Sequence, residues 1–340
     1  MLSITTLSIL THRIVLEISV ILSNMTTIHF FDTTKTDAEA LRALTNSALP
    51  GRDVEFHSGP AAVAADAVII SPFVTSHVTD DMMAAMPNLK LIACRSTGYD
   101  NIDLPAAAKR GIAVCNVPSY GEHTVAEYAF GLMLSITRKI PLAIDMQKAG
   151  QPADHRLQGI DLLGKTLGIL GAGRIGCHMA SMARGFGMTV VAFDTMIDQE
   201  RAKRYGFTYR PLKEVLATSD IVSIHVPNVP GTKHMLDAQA ITRLKPSAII
   251  INTARGEVID TAALIAALQH GHIAAAALDV FEHQTQQHSL EISTLQALPN
   301  VILTNHNAFN TVEAVGRINQ STVENIAAFL ADALPAAVTI

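Results

Sequence analysis

Residues 167–176 read L-G-I-L-G-A-G-R-I-G, so an apolar strand runs directly into three glycines and the opening of a helix. That order of elements restricts the fold more than anything else in the chain. Gly171 permits a tight bend, Gly173 lets backbone approach a pyrophosphate, and Gly176 brings helix and sheet together. The helix N-terminus adds N–H groups and the positive end of its dipole. In the first turn, Ile175 follows Arg174, which is either a solvated charge or a further pyrophosphate contact. The next strand ends at Asp194, where a carboxylate accepts hydrogen bonds from a ribose 2′-OH and repels a 2′-phosphate, which predicts NAD in preference to NADP. The plainer alternative, a glycine-rich turn near an acid without a role, requires strand, turn, helix and acid to coincide by chance.

Around this motif, short apolar runs alternate with amphipathic stretches. Strands are expected at 27–31, 68–70, 89–93 and 112–115, with helices near 37–47, 80–86 and 104–109. A second series places strands at 167–170, 189–193, 221–225, 248–252, 275–278 and 301–304, with helices at 175–185, 237–244 and 261–270. The alternation predicts an α/β protein with helix-covered parallel sheets, and six strands predict a complete dinucleotide-type sheet. Residues 124–146 read as one long helix broken at Pro141 and connecting two domains. The tail 311–334 reads as a helix returning to the first domain.

A length of 340 residues suits two domains, and 49% hydrophobic against 16% charged residues suits well-buried cores. A formal net charge of −5 gives no basic face for nucleic acid. Cys94, Cys115 and Cys177 are too few and too scattered for a disulfide framework or a thiolate zinc site, so a reducing cytoplasm is the expected setting. None of the 14 histidines falls in a recognisable ligand motif, His270/His272 and His283/His288 included, so no metal is expected. Residues 1–24 hold two apolar stretches too short for a membrane span, without a basic leader, and read as an upstream extension.

Two polar residues stand just beyond strand ends of the second series, where ligands of open α/β sheets bind. Arg255 belongs to N-T-A-R-G at 252–256, and His306 to T-N-H-N-A-F at 304–309. Either alone reads as an ordinary surface residue. Together on one nucleotide-type sheet they supply what reduction of a 2-keto acid needs beside nicotinamide: a cation for carboxylate and carbonyl, and a proton donor for the developing alkoxide.

With R-S-T-G-Y-D-N-I-D at 95–103, N-V-P-S-Y at 116–120, V-A-E at 125–127, H-V-P at 225–227, N-T-A-R-G-E-V-I-D at 252–260, A-L-D-V-F-E at 277–282 and H-N-A-F-N-T at 306–311, the chain resembles the D-isomer-specific 2-hydroxyacid dehydrogenases over residues 25–340. The resemblance implies two flavodoxin/Rossmann-like domains with the active site in the cleft. A discontinuous substrate domain (25–120 and 310–340) would carry an inserted NAD-binding domain (121–309), in a homodimer joined through the long helix. It implies that Arg255 binds the substrate carboxylate, that His306 is the acid/base, and that backbone N–H groups at Thr97 and Gly98 hold the carboxylate. Asp279 would orient the nicotinamide carboxamide, and His225, Val226, Pro227, Thr253 and Ala254 would line the cofactor. Tyr120 and Phe309 resemble the D-lactate dehydrogenase branch and would wall a pocket for a short side chain, with core packing as their plainer role and Phe73 a weaker third wall.

One departure concerns the acid's partner. The family places a glutamate five residues after Asp279, where this chain has Gln284. A neutral amide accepts a hydrogen bond from imidazolium without raising its pKa as a carboxylate would. Glu282 and Glu291 are the nearby substitutes, and formate dehydrogenases carry glutamine at this point. The N-H-N at 305–307, where many members have proline before the histidine, is a milder difference. The competing functions are therefore an NAD-binding regulatory relative with weak turnover and a formate-type hydride donor.

Overall fold

A computed structural model describes residues 27–282, 289–333 and 338. The extension at 1–24 and Gln284 lie outside the described residues. The chain divides into two compact units, Gly121–Asn310 and the sequence flanking it on both sides.

In the flanking unit, β1 (Thr27–Phe30), β2 (Asp53–Phe56), β3 (Ala67–Ser71), β4 (Leu91–Ala93) and β5 (Ala113–Cys115) form a parallel sheet in the order β2-β1-β3-β4-β5. This is the flavodoxin-like arrangement. The two-residue period of β1 sends Ile28 and Phe30 to one face and His29 to the other. Ile28, Phe30, Ile69 and Leu91 pack with Leu41 of helix Lys35–Ala48 and with Val323 and Ile326 of helix Val312–Leu330. Phe31, Ile70 and Ile92 pack on the opposite side with Met83, Ala106 and Ala107. Helix Lys35–Ala48 starts where its sequence dictates, at a capping box in which the Thr34 hydroxyl takes the Asp37 N–H and the Asp37 carboxylate takes the Thr34 N–H. Strand β2 was not expected. It pairs only with β1, and its D-V-E-F alternates exposed and half-buried residues, so an edge position frees it from the apolar run that marks an inner strand.

The central unit holds β6 (Thr166–Leu170), β7 (Thr189–Phe193), β8 (Thr208–Tyr209), β9 (Ile221–Ile224), β10 (Ile249–Asn252), β11 (Ala275–Leu278) and β12 (Val301–Leu303), ordered β12-β11-β10-β9-β6-β7-β8 and all parallel. From β6 the chain winds outward through β7 to β8, then crosses back to β9 and winds outward the other way to β12, so the switch point of a doubly wound sheet lies between β6 and β9. Strands β9, β10 and β11 are buried along their whole length, as the runs I-I-I-N and A-A-A-L require. Strand β8 is only two residues long and escapes any periodicity. Helices Gln199–Tyr205, Leu212–Thr218 and Leu290–Ala297 were likewise not anticipated.

The expected single helix broken at Pro141 is two helices, Glu122–Thr137 and Ile140–Lys148, and the break precedes the proline. Lys139 takes a left-handed conformation (φ 54°), and Pro141 lies in the first turn of the second helix, where a missing N–H costs nothing. Helix Glu122–Thr137 buries Ala126, Ala129, Phe130, Met133 and Ile136 with Leu167, Ile169, Ala275 and Ala277, making it a core helix of the central unit. Among the described residues no helix is long and apolar enough to cross a membrane.

Candidate functional site

Backbone hydrogen bonding in the central sheet continues past the strand ends, by one residue at β6, β9 and β11 and by three at β12. Gly171 N–H donates to Phe193 O (2.9 Å), His225 N–H to Leu170 O (2.7 Å), Asp279 N–H to Asn252 O (2.8 Å) and His306 N–H to Asp279 O (2.9 Å). Four of the residues singled out from the sequence therefore stand in one row along the carboxyl edge of the sheet.

The glycine loop has the shape a pyrophosphate demands. Gly171 (φ 96°) lies so close to the backbone of His225 and Val226 that a Cβ would approach it within 2.7–2.9 Å, and a Cβ on Gly176 would meet the Gly171 carbonyl at 2.2 Å. A Cβ on Gly173 would meet nothing within 4 Å. The outer two glycines are thus closed by protein, while the middle one faces open space at the head of the 12-residue helix Arg174–Gly185, whose first turn has no side-chain cap. The Asp194 carboxylate accepts from Ala172 N–H (2.8 Å) and Met196 N–H (2.9 Å), so the loop and the acid are one assembly. These residues fit a dinucleotide. The Arg174 guanidinium pairs with Glu122 at 3.2 Å, and Ile175 packs against the core. Nearby, the Pro227 carbonyl accepts from the Thr232 hydroxyl (2.5 Å), and the hydroxyl of Thr253 is buried without a hydrogen-bond partner among the described residues. The His225 ring bonds Ser223 through Nε2 (2.9 Å); its Nδ1 is buried with no hydrogen-bond partner among the described residues, and burial lowers its pKa to about 4.

Around Arg255 and His306 the sequence folds on two buried side chains. Asn252, fully buried, donates to Arg255 O (2.8 Å) and accepts from Ala254 N–H (3.0 Å), curling N-T-A-R into a turn that carries the guanidinium out of β10. Asp279, also fully buried, accepts from the Thr304 hydroxyl (2.5 Å) and Asn307 N–H (2.9 Å) on Oδ1, and from Ala308 N–H (2.9 Å) on Oδ2. Its carboxylate thereby holds the loop bearing His306, whose backbone is left-handed (φ 52°), a conformation worth about 1–3 kcal/mol of strain in a non-glycine residue. Oδ2 keeps a further lone pair. The His306 pKa is lowered by burial first and by the Arg255 charge second, against an upward pull from Asp279. Arg255, Asp279 and His306 are therefore one electrostatic group. The Phe309 ring stands edge-on to the His306 imidazole, with centroids 6.4 Å apart.

Glu282, a substitute partner considered for His306, is engaged elsewhere: it bonds His234 Nε2 (2.7 Å) and Thr261 N–H (3.1 Å). Asn252 was missed as a site residue, although its place at the head of N-T-A-R-G marks it as the turn former.

In the flanking unit, the Thr97 hydroxyl donates to Val117 O (2.8 Å), Asn116 to Thr97 O (2.6 Å) and the Ser96 hydroxyl to Gly98 O (2.6 Å), so side chains pin this turn through carbonyl oxygens. Arg317 Nε donates to Tyr120 O (2.6 Å). The buried Arg95 lies over the Phe73 ring at 4.7 Å and also bonds Phe31 O.

Comparison with known proteins agrees with this geometry. The family model for the NAD-binding domain of D-isomer specific 2-hydroxyacid dehydrogenases matches residues 130–308. A 2-hydroxyacid dehydrogenase homolog of Zymomonas mobilis is 37% identical over 78% of this chain and 84% of its own. A glyoxylate reductase of Korarchaeum cryptofilum is 38% identical over 77% and 79%. Among solved structures, the D-lactate dehydrogenase of Aquifex aeolicus, complexed with NAD and lactic acid, superposes with a TM-score of 0.81 at 31% identity, covering 90% of this chain and 96% of its own.

Proposed function

Because the chain belongs to the D-isomer-specific 2-hydroxyacid dehydrogenase family, NAD-dependent enzymes of 2-hydroxy acids, we propose that it interconverts a short 2-keto acid and its D-2-hydroxy acid, with pyruvate and D-lactate as the preferred pair. The observation that carries this choice is the Phe309 ring set edge-on against His306, which puts an apolar wall beside the proton donor and favours a methyl over a charged or hydroxylated side chain. The working enzyme is proposed to be a cytoplasmic homodimer.

Bound NAD supplies the hydride acceptor for oxidation and, when reduced, the donor for reduction. The Arg255 guanidinium binds the substrate carboxylate in a charge-assisted, two-point contact and polarises the keto group. In reduction, protonated His306 delivers its proton to the C2 oxygen as C2 gains hydride; in oxidation, neutral His306 removes the hydroxyl proton. Since burial and Arg255 both lower the His306 pKa, the neutral imidazole that oxidation needs prevails at neutral pH, and reduction gains as pH falls. Asp279 positions His306, and its remaining Oδ2 lone pair suits the nicotinamide carboxamide.

Steady-state rates with NADH and pyruvate, glyoxylate, phenylpyruvate and hydroxypyruvate test the assignment. Pyruvate should give the highest kcat/KM. A clear preference for glyoxylate or hydroxypyruvate would overturn the substrate, and flat traces with all four would favour a regulatory relative.

A further inference from the structure

Away from these residues, the edge of the flanking sheet gathers three ligand-type side chains that no sequence motif links. His29 of β1 and Glu55 of β2 are register partners on adjacent parallel strands, so both side chains leave the same face of the sheet; His57 follows two residues later, just past the end of β2. His29 Nδ1 lies 3.0 Å from His57 Nε2, and Glu55 Oε2 lies 3.6 Å from each. Three ligands around a tetrahedral cation of the zinc class, with bonds of about 2.0–2.1 Å, are separated by about 3.3 Å. The observed triangle straddles that value.

We propose that His29 Nδ1, His57 Nε2 and Glu55 Oε2 form a binding site for a divalent transition metal ion of the zinc class, with a fourth position open to solvent. Two imidazoles and one carboxylate are the donor set such ions prefer. His29 is only 3% exposed, whereas the side chains of His57 and Glu55 are 36% and 49% exposed, so one ligand is fixed in the core while the others give the ion a way in. The His57 ring is further held by stacking on Phe31 at 4.8 Å.

One tautomer of His29 suits this arrangement. His29 Nε2 is buried with no hydrogen-bond partner among the described residues, and the Asp66 carboxylate stands 3.6 Å from it. With its proton on Nε2, toward Asp66, His29 offers Nδ1 as a lone pair pointing at His57. In that tautomer and without metal, His57 Nε2–H is the donor of the bond between the two rings. Binding an ion requires only that the accessible His57 carry its proton on Nδ1 and that its ring tilt so that both lone pairs converge. Asp66 then stands behind the ligand at 3.6 Å, beyond hydrogen-bond distance, and acts on the site only through its charge.

Cobalt(II) titrated into the chelator-treated full-length protein tests the site without reference to turnover. One equivalent should bind and give the visible d–d bands of four-coordinate cobalt, and zinc should bleach them. His57→Ala and Glu55→Gln, both at half-exposed positions, should abolish the bands with the circular dichroism unchanged. Asp66→Asn, beyond hydrogen-bond distance of the ligand, should keep the bands. Absence of the bands in the wild type, or bands that persist in His57→Ala, would overturn the assignment and leave His29 and His57 as a hydrogen-bonded pair alone.

Discussion

Replacing Asp279 with asparagine should separate the loop that carries His306 from the sheet that aims it. The carboxylate accepts three hydrogen bonds at full burial, two on Oδ1 and one on Oδ2. An asparagine whose oxygen takes the Oδ1 position turns its NH2 toward the Ala308 N–H, so one bond is lost and a donor faces a donor. A hydrogen bond to a charged group contributes about 1.5–3 kcal/mol, and the two survivors fall to roughly half as neutral contacts, giving a loss on the order of 3–5 kcal/mol. Part of it is recovered as the left-handed His306 relaxes, which is also what misplaces the acid. At about 2–4 °C per kcal/mol for a domain of this size, calorimetry should show a Tm lower by roughly 6–20 °C before that recovery. Catalysis should fall about 100-fold, the effect of an ångström's displacement. The pH profile carries an independent sign. Asp279 pulls the His306 pKa upward, so removing its charge lowers that pKa, and the descending limb of reduction, which follows the imidazolium fraction, should move to lower pH. An unchanged Tm together with an unmoved limb would refute the account of Asp279 as the residue that holds and charges the acid.

Asp194→Ala should narrow the preference for NADH over NADPH by removing both the ribose acceptor and the repulsion of a 2′-phosphate; equal use of the two cofactors by the wild type would already contradict the assignment. Arg255→Gln should raise KM and lower kcat together, and since Arg255 depresses the His306 pKa, the residual reduction should persist to higher pH; His306→Ala should instead cut kcat by about 10²–10⁴-fold. Gln284→Glu should likewise carry the reduction limb to higher pH, and superimposable kcat/KM profiles would mean that position 284 does not reach the imidazole. His225 predicts an acid sensitivity: its pKa falls from 6.5 to about 4 on folding, so below pH 6.5 the unfolded chain takes the proton first. Stability is complete above that pH and lost as pH falls toward 4, by about 3 kcal/mol at 1.36 kcal/mol per unit, and His225→Gln should flatten this segment of a urea-denaturation series.

What could be read from the sequence follows from where chemistry and burial coincide. Inner strands such as Ile249–Asn252 and Ala275–Leu278 show themselves as unbroken apolar runs, while β2 hides because an edge strand needs an apolar residue only at every second position. The left-handed Lys139 that splits the long helix has no signature, since nothing in a lysine announces a positive φ. Arg255, His306 and the glycines are legible because backbone geometry dictates their neighbours. Asn252 and the anchoring role of Asp279 are not, because a buried polar group is defined by the donors that surround it and those come from distant segments. His29, Glu55 and His57 illustrate the same limit: their meeting depends on the register of β1 against a strand that the sequence did not disclose.

The row formed by Gly171, His225, Asp279 and His306 carries a consequence for how such an enzyme can diversify. Each residue makes a main-chain bond at the sheet edge, with Gly171 further fixed by its close approach to His225 and the His306 loop by the Asp279 carboxylate. The spacing of cofactor cradle and acid is therefore set by the sheet lattice, roughly 4.8 Å per strand, together with Gly171 and Asp279, and owes little to the pocket walls. Selection can exchange a pocket wall such as Phe309 without recalibrating the distance between proton donor and cofactor. An engineer can do the same, provided that the substitution leaves this final row of main-chain bonds intact.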